Sequence, residues 1–436
     1  MNTAGTAWPA PSRAWWAVSL CCVAALLSYT DRLILGLLVD PIRADLQIGD
    51  TEVSLLQGVA FALIYSFAGL PLGRIADRHS RRNLILAGVL LWSAATVACG
   101  YAQSFAQLFA ARVFVGIGEA ALAPAAMSLI ADYFPPQRRG TATGTFLMGM
   151  VVGGGAALAI GGFLLQLAGN GWFASWPVVG TLAPWRAVLV LLGLPGLVLG
   201  LLLLSLHEPA RRERSGVAAP GWRESMQKLA AQKSLLLPLY FAMALLAVGD
   251  FSLLSWSPAL LSRRYGYAAD QIGLLLGGIA MVTGVVATVG GGWLADWYAR
   301  RGGVSLRLQL ACLAAALAVP GSLIGLAGPS AAVVLACFGL WSLLSSAAGC
   351  IGIGVLQQVL PNELRGFGTA LMAFGNIILG LGVGASLTAV FTDRVYADAA
   401  AVGWSITTVT LPAALAALAL LLLALRHTRR NAVHAG

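Results

Sequence analysis

The chain has 436 residues, of which 59% are hydrophobic and only 10% are charged. A water-soluble fold of this length cannot hide so much apolar surface behind so few charges, so lipid must be the solvent for much of it. The net charge of +10 is not a nucleic-acid footprint, because the arginines stand in short loops between long apolar runs and not on a polar stripe. No nucleic-acid partner is expected.

A helix needs about 20 residues to cross the hydrocarbon. The first apolar run covers 15–38; Arg13 precedes it, but it is too long for a signal-peptide core and lacks a small-residue cleavage site, so it reads as an uncleaved span. Runs follow at 53–73, 83–101, 105–131, 140–167 and 184–206. After a charged stretch they resume at 235–261, 270–295, 304–326, 331–359, 366–391 and 403–425. The expected architecture is therefore all-α, with about twelve transmembrane helices: a six-helix bundle over 1–206, a cytoplasmic linker over 207–233 and a second six-helix bundle over 234–436. The segment from Trp222 to Gln232 is expected to form a short surface helix.

Positive charge sets the orientation. One side collects Arg74, Arg78, Arg81, Arg82, Arg138, Arg139, the linker cations, Arg300, Arg301, Arg307, Arg365, Arg426, Arg429 and Arg430. The other holds little beyond Arg43, Arg186, Arg263, Arg264 and Arg394. Both termini are expected in the cytoplasm.

The halves repeat. Gly73-Arg74-Ile75-Ala76-Asp77-Arg78-His79-Ser80-Arg81-Arg82 after the second span is echoed by Gly292-Trp293-Leu294-Ala295-Asp296-Trp297-Tyr298-Ala299-Arg300-Arg301 after the eighth. Phe134-Pro135 with Arg139-Gly140 is echoed by Leu360-Pro361 with Arg365-Gly366, and Asp50, Leu55, Leu56 and Gly58 by Asp270, Leu275, Leu276 and Gly278. Three echoes in one order imply two parallel halves related by an axis along the membrane normal, with a cavity between them.

The string Gly-x-x-x-Asp-Arg-x-x-Arg-Arg resembles the signature loop of the major facilitator superfamily, with Ser80 where many members have Gly. Tyr29-Thr30-Asp31-Arg32, Arg112 to Ala120 (RVFVGIGEA), Ser128 to Pro136 (SLIADYFPP) and Trp256-Ser257-Pro258 followed by Arg263 are similar to the spinster-type transporters. The anion:cation symporters share the Asp-Arg and Gly-Glu-Ala elements. The resemblance covers nearly the whole chain. It implies the major facilitator fold of two pseudo-symmetric bundles, alternating access that is commonly proton-linked, and, in the animal members, sphingolipid and lysolipid substrates.

Ionisable residues at membrane depth are costly and are default candidates for function. Asp31 and Arg32 lie about seven residues inside the outer end of the first span, and Arg112 about seven inside that of the fourth, so both sites sit roughly 10 Å below the outer surface. Glu119 lies two turns deeper on the same face as Arg112, within reach of Arg32. A carboxylate whose cationic partner can move away is a device for taking up a proton. Either Asp31 or Glu119 can fill that role; the alternative is a static ion-pair lock. The repeat offset places Asp250 in the seventh span opposite Asp31, Phe338 opposite Arg112 and Ser345 opposite Glu119. Asp250 is a candidate for a proton or substrate role, or else a hydrated residue at a cavity mouth. Tyr65, Trp256, Trp341 and Asn376 are further cavity candidates.

The duplicated loops are expected to gate the cytoplasmic side through Gly73, Asp77, Arg78, Arg81, Arg82, Asp132, Arg139, Asp296, Arg300 and Arg365. Asp77 and Asp296 can face the positive helix ends near Gly366 and Gly140, and Arg81 can pair with Asp132. The glycines of the fifth span (Gly149, Gly153 to Gly155, Gly161, Gly162) and of the eleventh (Gly375, Gly380, Gly382, Gly384) suit close, sliding helix contacts. No phosphate loop follows either run, so transport would be secondary, with a proton gradient as energy source and no cofactor.

Six cysteines lie inside apolar runs without metal-ligand spacing, and the four histidines fall in loops or at the C-terminus. No metal site is expected, and an intramembrane enzyme is disfavoured. The expected protein is a monomeric carrier of a small amphiphilic, lysolipid-like or organic substrate in a lipid bilayer. Arg-rich, Lys-poor usage (Lys228 and Lys233 only) points to a bacterial inner membrane. The alternatives are a proton symporter of small organic anions and a non-transporting sensor.

Overall fold

The computed structural model describes residues 8–211, 222–328 and 330–434. Residues 212–221 of the central linker, including Arg212 and Arg214, lie outside them, as do the side chains of Asp296 and Trp222. Among the described residues no strand occurs.

Among the described residues twelve helices are long and apolar enough to cross a membrane. They are Pro11–Gly36, Asp50–Arg78, Arg81–Tyr101, Phe105–Tyr133, Gln137–Gly169, Pro184–Leu203, Lys233–Tyr265, Ala269–Ala295, Gly303–Ser322, Ala331–Val359, Glu363–Tyr396 and Ala399–Arg430. Each coincides with an apolar run read from the sequence. Local chemistry sets several boundaries. Proline stands in the first turn of the first and sixth spans, where its missing N–H costs nothing. Ser80 Oγ accepts from the Asn83 N–H, and Ser104 Oγ from the Gln107 N–H, capping the third and fourth spans. The eighth and ninth spans belong to one helical run, Ala269–Ala318, within which Gly303 takes a φ of 60° that favours glycine. A surface helix, Trp222–Ala230, follows the linker.

Between the first two spans stands a further helix, Val39–Leu46, closed by a left-handed Gln47. At eight residues it is too short for apolar length to announce it. The second span then widens into a π-turn over Leu55–Val59, and the eleventh over Asn376–Gly384. Such wide turns often mark functional segments of a helix.

The contacts divide into two compact units, one of 1–34 with 63–216 and the other of 35–62 with 217–436. In the first, the glycine-rich fifth span packs on the first so closely that a Cβ at Gly149 would lie 2.3 Å from the Cys22 carbonyl oxygen. A Cβ at Gly153 would lie 2.6 Å from that of Leu26. Small residues allow the backbone approach that supplies packing energy in lipid. In the second unit, Gly384 meets the Val248 backbone, and Gly58 meets the Leu381 carbonyl in the same way.

Candidate functional site: buried ions at membrane depth

In the first unit Asp31, Arg32, Arg112 and Glu119 are all buried, each 4% exposed or less. Arg32 Nη2 donates to Glu119 Oε2 at 2.8 Å, and the Ser28 hydroxyl donates to the same oxygen at 2.7 Å. Glu119 Oε1 is buried and accepts no hydrogen bond. One carboxylate oxygen therefore carries both partners while the other carries none. The Arg32 guanidinium is flanked by aromatic faces, 4.6 Å from the Tyr29 ring centre and 4.8 Å from that of Tyr65. Ring faces of this kind stabilise a desolvated cation.

Asp31 has partners of its own. Its Oδ2 accepts from the Thr96 hydroxyl at 2.9 Å, and Arg112 Nη1 donates to its backbone carbonyl at 3.2 Å. The structure thus brings Arg112 to Asp31, as depth suggested, with a bond to its main chain and its charge acting on the carboxylate. Ser28, Thr96 and the ring face of Tyr29 were not singled out by sequence, because hydroxyls and tyrosines within apolar runs carry no charge signal.

In the second unit Asp250 stands midway along its span, and its Oδ1 accepts from Trp341 Nε1 at 2.9 Å. Ser345, one turn on from Trp341, lies beside the same carboxylate. The repeat offset placed Asp250 and Ser345 opposite Asp31 and Glu119, and the fold brings the two together. Trp256 is wholly buried, with its indole N–H on the Ala385 carbonyl at 2.8 Å, so it joins two helices. The Asn376 Oδ1 is buried without a hydrogen bond.

A third cluster lies at the ends of the spans away from the Arg81 loop. Arg263 donates from Nη1 and Nη2 to the two oxygens of Asp50, each at 2.7 Å, and from Nε to Asp40 at 2.8 Å. Arg43 lies 3.1 Å from Asp50, whose side chain is fully buried. Nearby, Asp393 Oδ2 accepts from the N–H and the hydroxyl of Thr51, both at 2.7 Å.

On the loop side Arg81 is buried and pairs with Asp132, and it also meets Glu208 at 2.7 Å. Glu208 further accepts from the backbone N–H of Arg82 and from Ser80. Burial pushes its carboxyl up, but the Arg82 N–H, the Arg81 guanidinium and the Ser80 hydroxyl outweigh that and hold it below the usual value. Arg139 donates from Nε to the Phe134 carbonyl at 2.9 Å, and Arg365 to that of Leu360 at 3.1 Å. These two arginines close their own turns in identical fashion. Asp77, Arg78 and Arg300 are exposed, and Gly73 approaches Pro124.

The family model "Major Facilitator Superfamily" matches residues 21–385. The chain belongs to the Major Facilitator Superfamily. It is a multi-pass membrane transporter with an all-α fold. It is 28% identical over 388 residues to an "MFS-type efflux pump" of Mycolicibacterium smegmatis, covering 89% of this chain and 86% of that protein. It is 26% identical to "Protein spinster" of Drosophila melanogaster, over 66% of this chain and 46% of that protein, so it spans about half of the animal relative. The fold matches that of a bacterial homologue of the human lysosomal transporter Spinster, solved inward-facing and unoccupied, with a TM-score of 0.79 and 24% identity over 95% of this chain and 96% of that one. These agree with the spinster-like motifs of the sequence.

Proposed function

We propose that this superfamily member is a proton-coupled secondary transporter of a small amphiphilic or organic substrate, working by alternating access as a monomer in a bacterial inner membrane with both termini in the cytoplasm. The observation that carries the coupling is the lopsided Glu119 carboxylate. Its Oε2 holds Ser28 and Arg32, while Oε1 is buried with no hydrogen bond. A buried carboxylate oxygen without a donor is costly as an anion. Protonation of Glu119 removes the charge and releases Arg32, which the Tyr29 and Tyr65 rings still accommodate. The proton gradient then drives the cycle, and the gate loops around Arg81 and Asp132 reorganise with it. Asp31, hydrogen-bonded by Thr96, is the second acid of the relay.

The efflux pump and spinster relatives favour an amphiphilic cargo. A small anion is favoured less, because Arg32 is already engaged by Glu119 and Arg112 by the Asp31 carbonyl. The test is proteoliposome flux under an imposed pH gradient, using a ligand chosen by thermal-shift screening. Glu119→Gln is expected to abolish gradient-driven accumulation while retaining exchange of internal for external substrate. Accumulation equal to wild type in both Glu119→Gln and Asp31→Asn would overturn the coupling assignment.

A further inference from the structure

The charges at membrane depth do not balance in the same way in the two units. In the first, two carboxylates lie among two guanidiniums, with Arg32 on Glu119 and Arg112 on the Asp31 main chain. In the second, Asp250 has no ion pair among the described residues, and no charged side chain among them acts on it. Its ligands are neutral: the Trp341 indole N–H at 2.9 Å and, beside it, the hydroxyl of Ser345. Ser345 is only 2% exposed, and its Oγ completes no hydrogen bond of ordinary geometry. Asp250 itself is only partly buried, midway along Lys233–Tyr265, so it can be reached at the depth where transporters hold their cargo.

A carboxyl group at the bilayer midplane either takes up a proton or faces a cation. This one is supplied with neutral donors, one of them an unclosed buried hydroxyl. From this we infer that Asp250, Trp341 and Ser345 form a subsite for the cationic group of the substrate, and that the cargo is an amphiphilic organic cation. The cationic nitrogen or phosphorus centre rests on the Asp250 carboxylate. Trp341 and Ser345 fix the carboxylate's orientation. This inference rests on the transport reading for its meaning but not for its test. A permanent cation cannot carry a proton, so its binding separates a cation subsite from a protonation site.

The experiment is equilibrium binding of radiolabelled tetraphenylphosphonium to the purified full chain, with triphenylphosphine oxide as the neutral comparison. Wild type is expected to bind the cation saturably. Asp250→Asn should weaken it by about tenfold or more, as removal of a desolvated ionic partner does. Asp250→Glu should restore most of the affinity, which excludes misfolding as the cause of the loss. The neutral compound should bind both forms alike. Absence of saturable cation binding by wild type, or equal affinity in Asp250→Asn, overturns the subsite. Asp250-dependent binding without any gradient-driven flux upholds the subsite and removes the transport reading. Gradient-driven flux of neutral and cationic compounds alike does the reverse.

Discussion

The Arg32–Glu119 pair permits a test that separates a static lock from a device built to come apart. Both side chains are essentially out of water, and they meet at 2.8 Å. Removing one member of such a pair normally costs about 3–5 kcal/mol, because the other is left as an uncompensated buried charge. The two removals should differ here. Arg32→Met leaves Glu119 with only the Ser28 hydroxyl, so the full cost of about 3–5 kcal/mol applies. Glu119→Gln leaves the guanidinium between the Tyr29 and Tyr65 rings at 4.6 and 4.8 Å. Each ring face offsets about 1 kcal/mol, so the net cost should fall from about 3–5 to about 1–3 kcal/mol. The double variant should cost less than the sum of the singles by at least about 2 kcal/mol. Thermal unfolding of the purified protein measures this, at about 2 °C per kcal/mol for a chain of this size. Equal destabilisation by the two single variants would refute the aromatic accommodation of Arg32. Additivity within about 0.5 kcal/mol would refute the pairing itself.

Three further outcomes follow from the other clusters. Asp50→Asn should cost about 3 kcal/mol, because the acid is fully buried and takes both Nη atoms of Arg263, whereas Asp40→Asn, a third exposed, should cost under about 1 kcal/mol; thermal unfolding of the two variants decides it. Arg139→Gln and Arg365→Gln should each lower stability by about 1 kcal/mol, since each deletes one charge-assisted bond to the carbonyl before a proline; a scan showing that only one matters would break the equivalence. Glu208 is held below its ordinary value of 4.5, so it stabilises the fold above that pH and loses the contribution as pH falls through its lower native value. Partial exposure limits the effect to about 1 kcal/mol, and Glu208→Gln should flatten the acid limb of the stability curve between about pH 3 and pH 5.

Apolar run length was enough to find every span, because the bilayer imposes one length on all of them. It could not show that 35–62 packs with the C-terminal helices, since that depends on Arg263 reaching Asp40 and Asp50 from far along the chain. Charge at depth pointed to Asp31, Arg32, Arg112 and Glu119, and helical geometry brought Arg32 toward Glu119. Neutral partners left no such trace: Ser28, Thr96 and Trp341 look like any hydroxyl or aromatic in an apolar run until the fold sets them against a carboxylate. Glu208, in a charged linker, resembled a solvated residue; its place at the start of the third span depends on the linker folding back. Trp256 had the opposite fate, a prominent motif residue whose indole joins two helices.

The internal repeat helps to separate the parts that serve the fold from those that serve a cycle. Whatever the chain path itself demands must be met in both halves. The turn after the fourth span and the turn after the tenth meet that demand identically, with Arg139 on the Phe134 carbonyl and Arg365 on the Leu360 carbonyl. Those arginines, counted among the gate candidates, each close the turn that precedes the next span. The buried ions behave differently. By the repeat offset Asp31 matches Asp250, but Arg112 and Glu119 of one half match Phe338 and Ser345 of the other. Since the second half folds with an apolar ring and a hydroxyl there, the shared helix packing does not require a buried ion quartet. Ions at depth are expensive, and the quartet is a cost that the second half does without at the matching positions.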